Sequence, residues 1–319
     1  MTRTALGLAL LLSGAASGLA ADFPERPVQI VAPYAAGGGL DVITRTLAQR
    51  LTALWGQQVF VENRPGAGAT IGTAAIAKTK PDGYTLLVAS TPLGIAPVVY
   101  PNLAYDARRD FAPIALIGTT PEVLVVNPAL GVSTAAELVA LAKKNSRQLN
   151  FGSAGSGTLA HLAAEAFNRR AGIGGAHIPY KGSNPALVDL MGGQIDWLFD
   201  TPSAVLQHVR AGKLRALAIA APQRSPQMPT VPTLSEAGFP EMDFRIWMGL
   251  LTPAGTPETT VRAIETAIAE IMRDPALRAS LTAQGWDIVG SLSRDFAAFL
   301  DVELPKLAAA ARAAGIRAD

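Results

Sequence analysis

The chain has no cysteine among its 319 residues. That excludes disulfides and thiolate metal sites, and it leaves no thiol to carry a lipid anchor. A strong charge of either sign is also missing. Lys and Arg number 27 against 25 acidic residues, a formal +2, and no long run has one sign. Such a balance offers no electrostatic footprint for nucleic acid or an anionic membrane. The three histidines, His161, His177 and His208, lie in unrelated contexts, which argues against a metal site and against a hydrolytic centre. There is no G-x-S-x-G elbow and no P-loop. Beyond residue 20, no apolar run approaches the length of a membrane span.

What is present describes a globular protein with a large interior: 49% hydrophobic residues and 16% charged. The length suits two domains better than one core. Residues 1–20 read as a secretory leader, with Arg3 as the basic start and Gly18-Leu19-Ala20 as a small-x-small cleavage site. Cleavage there would begin the mature chain near Ala21 and leave 26 basic against 25 acidic residues. A free protein of the periplasm is expected.

From Pro27 onward, short apolar strands alternate with helical repeats, the rhythm of a mostly parallel sheet covered by helices. Leu40, Ile43, Leu47, Leu51 and Leu54 share one helical face. At residues 114–117 and 123–126, two apolar runs stand back to back with no helix between them, which reads as a crossing near Thr119-Thr120 into a second domain. That domain opens with a capping-box spacing, Thr134 and Glu137. The proline-rich stretch 222–240 leads to a return crossing near Phe244-Arg245, and the remainder is helical, with Pro305 expected to kink or divide the last helix. The implied organisation is one α/β lobe from residues 21–118 and 244–319, with a second inserted as residues 119–243. Two crossing segments between lobes outline a hinged receptor.

Two glycine-rich loops carry the chemistry. Each follows a strand and opens an amphipathic helix, so backbone N–H groups lie free at the positive end of a helix and suit an anion. The first contributes Tyr34, Ala35, Ala36, Gly37, Gly38 and Gly39, and the second Ser153, Gly155, Ser156, Gly157 and Thr158. A purely structural role, as tight turns with Asp41 and Thr158 as caps, is compatible with binding. Asp41 reads as a cap or water holder, His161 and Trp247 as packed side chains, and Asp200 as either a ligand acceptor or a helix cap. On this reading Gly155→Asp would place a repelling charge in the second loop while the fold survives. Gly66-Ala67-Gly68-Ala69-Thr70-Ile71-Gly72 has one residue too many for a dinucleotide fingerprint and reads as a turn. No cofactor, metal or catalytic residue is expected.

At these motifs the chain resembles the Bug receptors, the solute receptors of tripartite tricarboxylate transporters. Matching pieces include Phe23-Pro24-Glu25-Arg26-Pro27, Val61-Glu62-Asn63-Arg64-Pro65-Gly66-Ala67-Gly68, Pro81-Asp82-Gly83-Tyr84, Tyr180-Lys181-Gly182, Gly192-Gly193-Gln194-Ile195-Asp196 and Pro229-Thr230-Val231-Pro232-Thr233, with both glycine-rich loops. The resemblance implies a type II periplasmic-binding-protein (Venus flytrap) fold and a small carboxylate held by the two loops between closing lobes. It also implies transporter membrane subunits as partners. Ser90, Thr91 and Asp200 are candidates for the far side of the pocket. Tyr34 stands where Phe is common in the family, and Ala35-Ala36 where Pro often occurs. A periplasmic sensor of carboxylates is the alternative output, and an enzyme is a third reading with no nucleophile–base pair to support it. The protein is expected to be a monomer that begins at or near Ala21; intact mass of the exported protein checks this, and a retained leader or attached lipid would contradict it.

Overall fold

The computed structural model describes residues 23–34, 36–144, 149–180 and 182–316; the leader and the expected mature start at Ala21 lie outside them. In chain order the first elements are β1 (Val28–Ala32), α1 (Gly39–Trp55), β2 (Val59–Asn63), α2 (Thr70–Ile76), β3 (Thr85–Ala89) and α3 (Pro92–Val99). A long β4 (Phe111–Val126) leads to α4 (Ala135–Lys144), β5 (Phe151–Ser153), α5 (Leu159–Ala171), β6 (His177–Pro179), α6 (Ser183–Met191), β7 (Trp197–Asp200), α7 (Pro202–Arg210) and β8 (Arg215–Ala220). Then come β9 (Arg245–Pro253), α8 (Glu258–Ile271), α9 (Pro275–Ala283), β10 (Asp287–Ile288) and α10 (Ser293–Ala313).

The strands form one path in the order β2-β1-β3-β9-β4-β7-β5-β6, with β8 and β10 also paired to β4. The expected crossing near Thr119-Thr120 is extended, and it is continuous with the apolar runs on either side. It is the middle of a single strand of 16 residues. The first part of β4 pairs antiparallel with β9 and β10, and residues 123–126 lie between β7 and β8. Thr120 sits opposite Ile246 and Pro121 opposite Arg245, so the outward and return crossings are neighbours in one ladder. The Glu122 N–H donates to Phe244 O at 3.0 Å, and the Phe244 N–H to Ala220 O at 2.9 Å, which extends that link.

Side-chain alternation explains why helices cover both faces. Val28, Ile30, Leu86, Val88, Met248 and Leu250 point to one side, packed with Ile43, Leu47 and Leu51 of α1 and with Ile264 and Ile268 of α8. Val31, Leu87, Ala89, Trp247 and Leu251 point to the other, against Ile76, Leu93, Phe296 and Leu300. In the second half Leu124, Val126, Phe151 and Trp197 face α4 and α5, whereas Val123, Val125, Leu198 and Ile219 face α6 and α7. Each fully buried aliphatic side chain contributes about 1.5–3 kcal/mol, which makes this two-sided burial the main source of stability.

The capping box forms: the Glu137 N–H donates to Thr134 Oγ1 at 3.1 Å, and the Ser133 N–H to Glu137 Oε2 at 2.7 Å. Pro305 does not divide the last helix. The helix α10 runs through it from Ser293 to Ala313 because Phe296, Leu300, Leu304, Leu307 and Ala311 keep one buried stripe across the break in hydrogen bonding. That stripe has a second consequence. Leu307, Ala311 and Ile316 join the cluster built on Phe151, Phe167 and Trp197, so the end of the chain packs against the second half of the sheet. Trp247 is fully buried between Phe296 and Phe299, as expected of a packing residue.

Gly249 of β9 allows the closest approach in this core, because a Cβ there would lie 2.1 Å from Phe296 Cζ. Gly249→Ala is expected to destabilise the protein by about 1–3 kcal/mol through forced repacking. Urea denaturation measures this; an unchanged midpoint would show that Phe296 can move aside.

Candidate functional site

The carboxyl ends of β1, β3, β5 and β7 all point toward the junction of the two sheet halves, and the helix after each begins there. A cavity of about 240 Å³ lies at this place. Its wall includes Leu40 at the start of α1, Thr91 and Pro92 at the start of α3, and Leu159 and Ala160 in the first turn of α5. Ser183 opens α6, and Thr201 occupies the N-cap position of α7. Five helices thus turn their N-termini toward one small space. The first-turn amides of a helix have no intrahelical acceptor, and the helix dipole adds positive potential there.

The first loop is held by a polar network. Asp41 is buried, accepts from the Gly37 N–H at 2.8 Å and Arg45 Nε at 2.9 Å through Oδ2, and from Asn63 Nδ2 at 2.8 Å through Oδ1. Burial works against its charge, but these bonds outweigh burial and hold the carboxyl below its usual range. Asn63 also donates to Tyr34 O at 3.1 Å, which gives the Glu62-Asn63-Arg64 motif a concrete role in fixing the loop. Asp41 is thus a loop fastener within the first turn of α1, whose N-cap position is Gly38.

The second loop is braced from behind. Ser153 is fully buried, and its hydroxyl contacts Gly155 O at 3.0 Å and His177 Nε2 at 2.7 Å. The Gly155 N–H returns to Ser153 Oγ at 3.2 Å, and the Gly157 N–H donates to His161 Nδ1 at 3.2 Å. The rings of His161 and His177 stack with centroids 3.7 Å apart. Burial, then the neighbouring His161, push the His177 imidazole down to about 4. Both rings brace the loop through these contacts. Thr158 caps α5, accepting from the His161 N–H and donating to Gly155 O at 2.8 Å.

Of the residues named from the sequence, Tyr34, Ser90, Thr91, Gly157, Thr158 and Asp200 line the cavity together. Gly38 and Gly39 line an adjoining recess that shares Ser183 and Thr201 with it. Ala36, Gly37, Ser153, Gly155 and Ser156 belong to the loops but are not part of the cavity wall, and Ala35 lies outside the described residues. At Gly155 φ is +139°, away from the left-handed region that Asp tolerates, and a Cβ would meet Tyr180 O at 3.3 Å. Gly155→Asp would therefore strain the turn, a cost that the local sequence does not reveal.

The residue that sequence reading missed is Glu122. It lines the cavity from the middle of β4, is 2% exposed, and its Oε2 has no hydrogen-bond partner. A single charge in the run Pro121-Glu122-Val123-Leu124-Val125-Val126 was the available signal. Burial, then the charge of Asp200, push its carboxyl well above the usual range. Asp200 is also buried and accepts from the Thr201 N–H at 2.8 Å and Ser183 Oγ at 3.0 Å, both on Oδ1. Burial pushes it up to about 6 against those bonds and a third from the Thr201 hydroxyl. No cluster of three metal-ligating side chains occurs among the described residues, and none of their helices is long and apolar enough to cross a membrane.

A model of the tripartite tricarboxylate transporter receptor family matches residues 43–316. The chain is similar to Protein BugT of Bordetella pertussis, with 37% identity over 322 residues covering 99% of each chain. Among solved structures it is similar to Rpa4515 of R. palustris with adipate, at 31% identity, covering 92% of this chain and 99% of that one with a TM-score of 0.82. A second is MatC from Rhodopseudomonas palustris with bound malate, at 31% identity, covering 91% and 100% with a TM-score of 0.78. The fold is accordingly that of the two-lobed periplasmic binding proteins, and proteins of this kind are binding proteins rather than enzymes.

The raised carboxyl of Asp200 sets a pH dependence. Unfolded, an aspartate titrates near 4, so the folded state holds this proton more tightly. Its contribution to stability is intact at about pH 4 and lost as pH rises through about 6. Asp200→Asn is expected to stabilise the ligand-free protein by about 1–3 kcal/mol at neutral pH, with no gain near pH 4. Thermal melts at both pH values check the sign; equal gains at both would contradict it.

Proposed function

The chain belongs to the tripartite tricarboxylate transporter receptor family, and from that premise we propose that it is exported, captures a small carboxylate between two closing lobes and delivers it to membrane subunits of such a transporter. The observation that carries this reading is the convergence of α1 and α5, on opposite sides of the β4–β9 ladder, toward one cavity. In the proposed complex the ligand carboxylate accepts from first-turn amides of both helices. Each charge-assisted bond contributes about 1.5–3 kcal/mol. A few of them plus the apolar contacts of Leu40, Ile95, Leu159 and Ile246 suffice for micromolar affinity, about −8 kcal/mol, after ordering costs.

A ligand touching both helix starts has contacts in the closed arrangement that the open one lacks, so it must shift the population toward closure. We place the pivots at residues 119–121 and 244–246, with lobes of 21–118 plus 244–319 and of 119–243. The far end of α10 packs on the second lobe and would act as a third contact that turns with it. Adipate and malate in the two related structures support the carboxylate class.

The test compares acids with their own amides. A set of short mono- and dicarboxylates is expected to contain at least one that raises the melting temperature, with its amide giving no shift. Small-angle scattering is expected to record compaction with that acid. Equal shifts from acid and amide would overturn the carboxylate anchor, and saturation without compaction would overturn lobe closure.

A further inference from the structure

Glu122 and Asp200 are two buried carboxyl groups in the wall of the same cavity, and neither has a cationic partner among the described residues. Other buried acids do: Asp41 pairs with Arg45 at 2.9 Å and Glu303 with Lys306 at 2.7 Å. No Lys, Arg or His occurs among the described residues that line the cavity. Glu122 Oε2 has no hydrogen-bond partner, and Ser90 Oγ, on the same wall and 1% exposed, has only the Tyr34 hydroxyl beside it. The donors to Asp200, the Thr201 N–H and hydroxyl and Ser183 Oγ, are all uncharged. A buried carboxyl left unpaired is costly, so an occupant that satisfies the pair gains more than its own contacts alone would give.

Resting on the carboxylate reading above, we propose that Glu122 and Asp200 form a subsite for an ammonium group, so that the ligand is an amino acid carrying its carboxylate toward the helix starts and its nitrogen toward this pair. An ammonium brings three donors and a positive charge. It supplies the counter-charge that no described residue of the wall provides, and its remaining donor reaches an acceptor such as Ser90 Oγ. A second carboxylate in the same place would be a third acidic group in a nearly dry space. One proton would then have to be taken up for every such ligand bound, since buried acidic groups that share one site do not all ionise. The pair therefore discriminates among small acids by the sign of their second group.

The experiment is calorimetric titration of ligand-stripped full-length mature protein with four probes of one size class: butyrate, glutarate, γ-aminobutyrate and α-aminobutyrate. One of the two amino acids is expected to bind at least about tenfold tighter than both butyrate and glutarate, equivalent to about 1.4 kcal/mol. Glu122→Gln and Asp200→Asn keep the side-chain shape and remove the charge, and each is expected to cut that preference about tenfold or more. Glutarate binding as tightly as the better amino acid would overturn the ammonium subsite while leaving the carboxylate reading standing. An unchanged preference in both variants would also overturn it. Heat from none of the four would overturn this proposal and, if the wider set of acids is equally silent, the carboxylate reading with it. Should neither variant fold, the wild-type order of the four probes decides.

Discussion

One strand belongs to both halves of this molecule, and the position of every group at the cavity follows from it. The first part of β4 is laddered to β9 and β10, and its last four residues lie between β7 and β8. Parallel strands on either side, β1 beside β3 and β5 beside β7, then have to run so that their carboxyl ends meet at the shared ladder. A helix after a strand of a parallel sheet starts at that strand's carboxyl end. The N-termini of α1, α3, α5 and α7 are consequently brought to one place by topology, and the loop sequences need only leave it open. Side chains that bury on both faces of each strand make the arrangement cooperative, since a slip of one residue would expose a whole face.

The electrostatics of that place are a balance between two sources of opposite sign. Helix starts contribute positive potential through unpaired amides. Glu122 and Asp200 contribute carboxyl groups whose charged forms are suppressed by burial. The two are not interchangeable. Asp200 precedes the cap of α7 and receives the Thr201 N–H, so part of its charge is absorbed by that helix. Glu122 sits in mid-strand and lacks even a neutral donor at Oε2. The loops beneath contribute precision rather than charge. In the second loop, the Ser153 hydroxyl and the His161 ring accept the Gly155 and Gly157 amides and set the turn into α5.

Much of this was legible in the sequence because it is written in periodicity and turn chemistry. The strand–helix alternation, the α1 face of Ile43, Leu47 and Leu51, the Thr134–Glu137 cap and both glycine-rich turns are local patterns, and local patterns survive into the fold. What was not legible depends on contacts distant in sequence. The crossing at Thr119-Thr120 read as an extended segment between two apolar runs; that all three are one strand depends on pairing to β9, which overrides the poor strand propensity of Gly118 and Pro121. Pro305 looked like a helix breaker, but a continuous buried stripe holds α10 through it. Ser153 looked like a donor for a ligand, and only the folded chain reveals His177 behind it. Glu122 carries no motif at all. Its meaning comes from Asp200, and the two are distant in sequence until β4 and β7 pair.

The central claim is that helix starts from both halves grip one carboxylate. Backbone amide resonances of the isotopically labelled protein, followed during titration with the best-binding small acid, test it most directly. The account predicts that the largest shifts fall together on Leu40 and Asp41 of α1 and on Leu159 and Ala160 of α5, saturating at a single midpoint. Shifts confined to one of these two helices, or concentrated elsewhere while both stay unmoved, would contradict it.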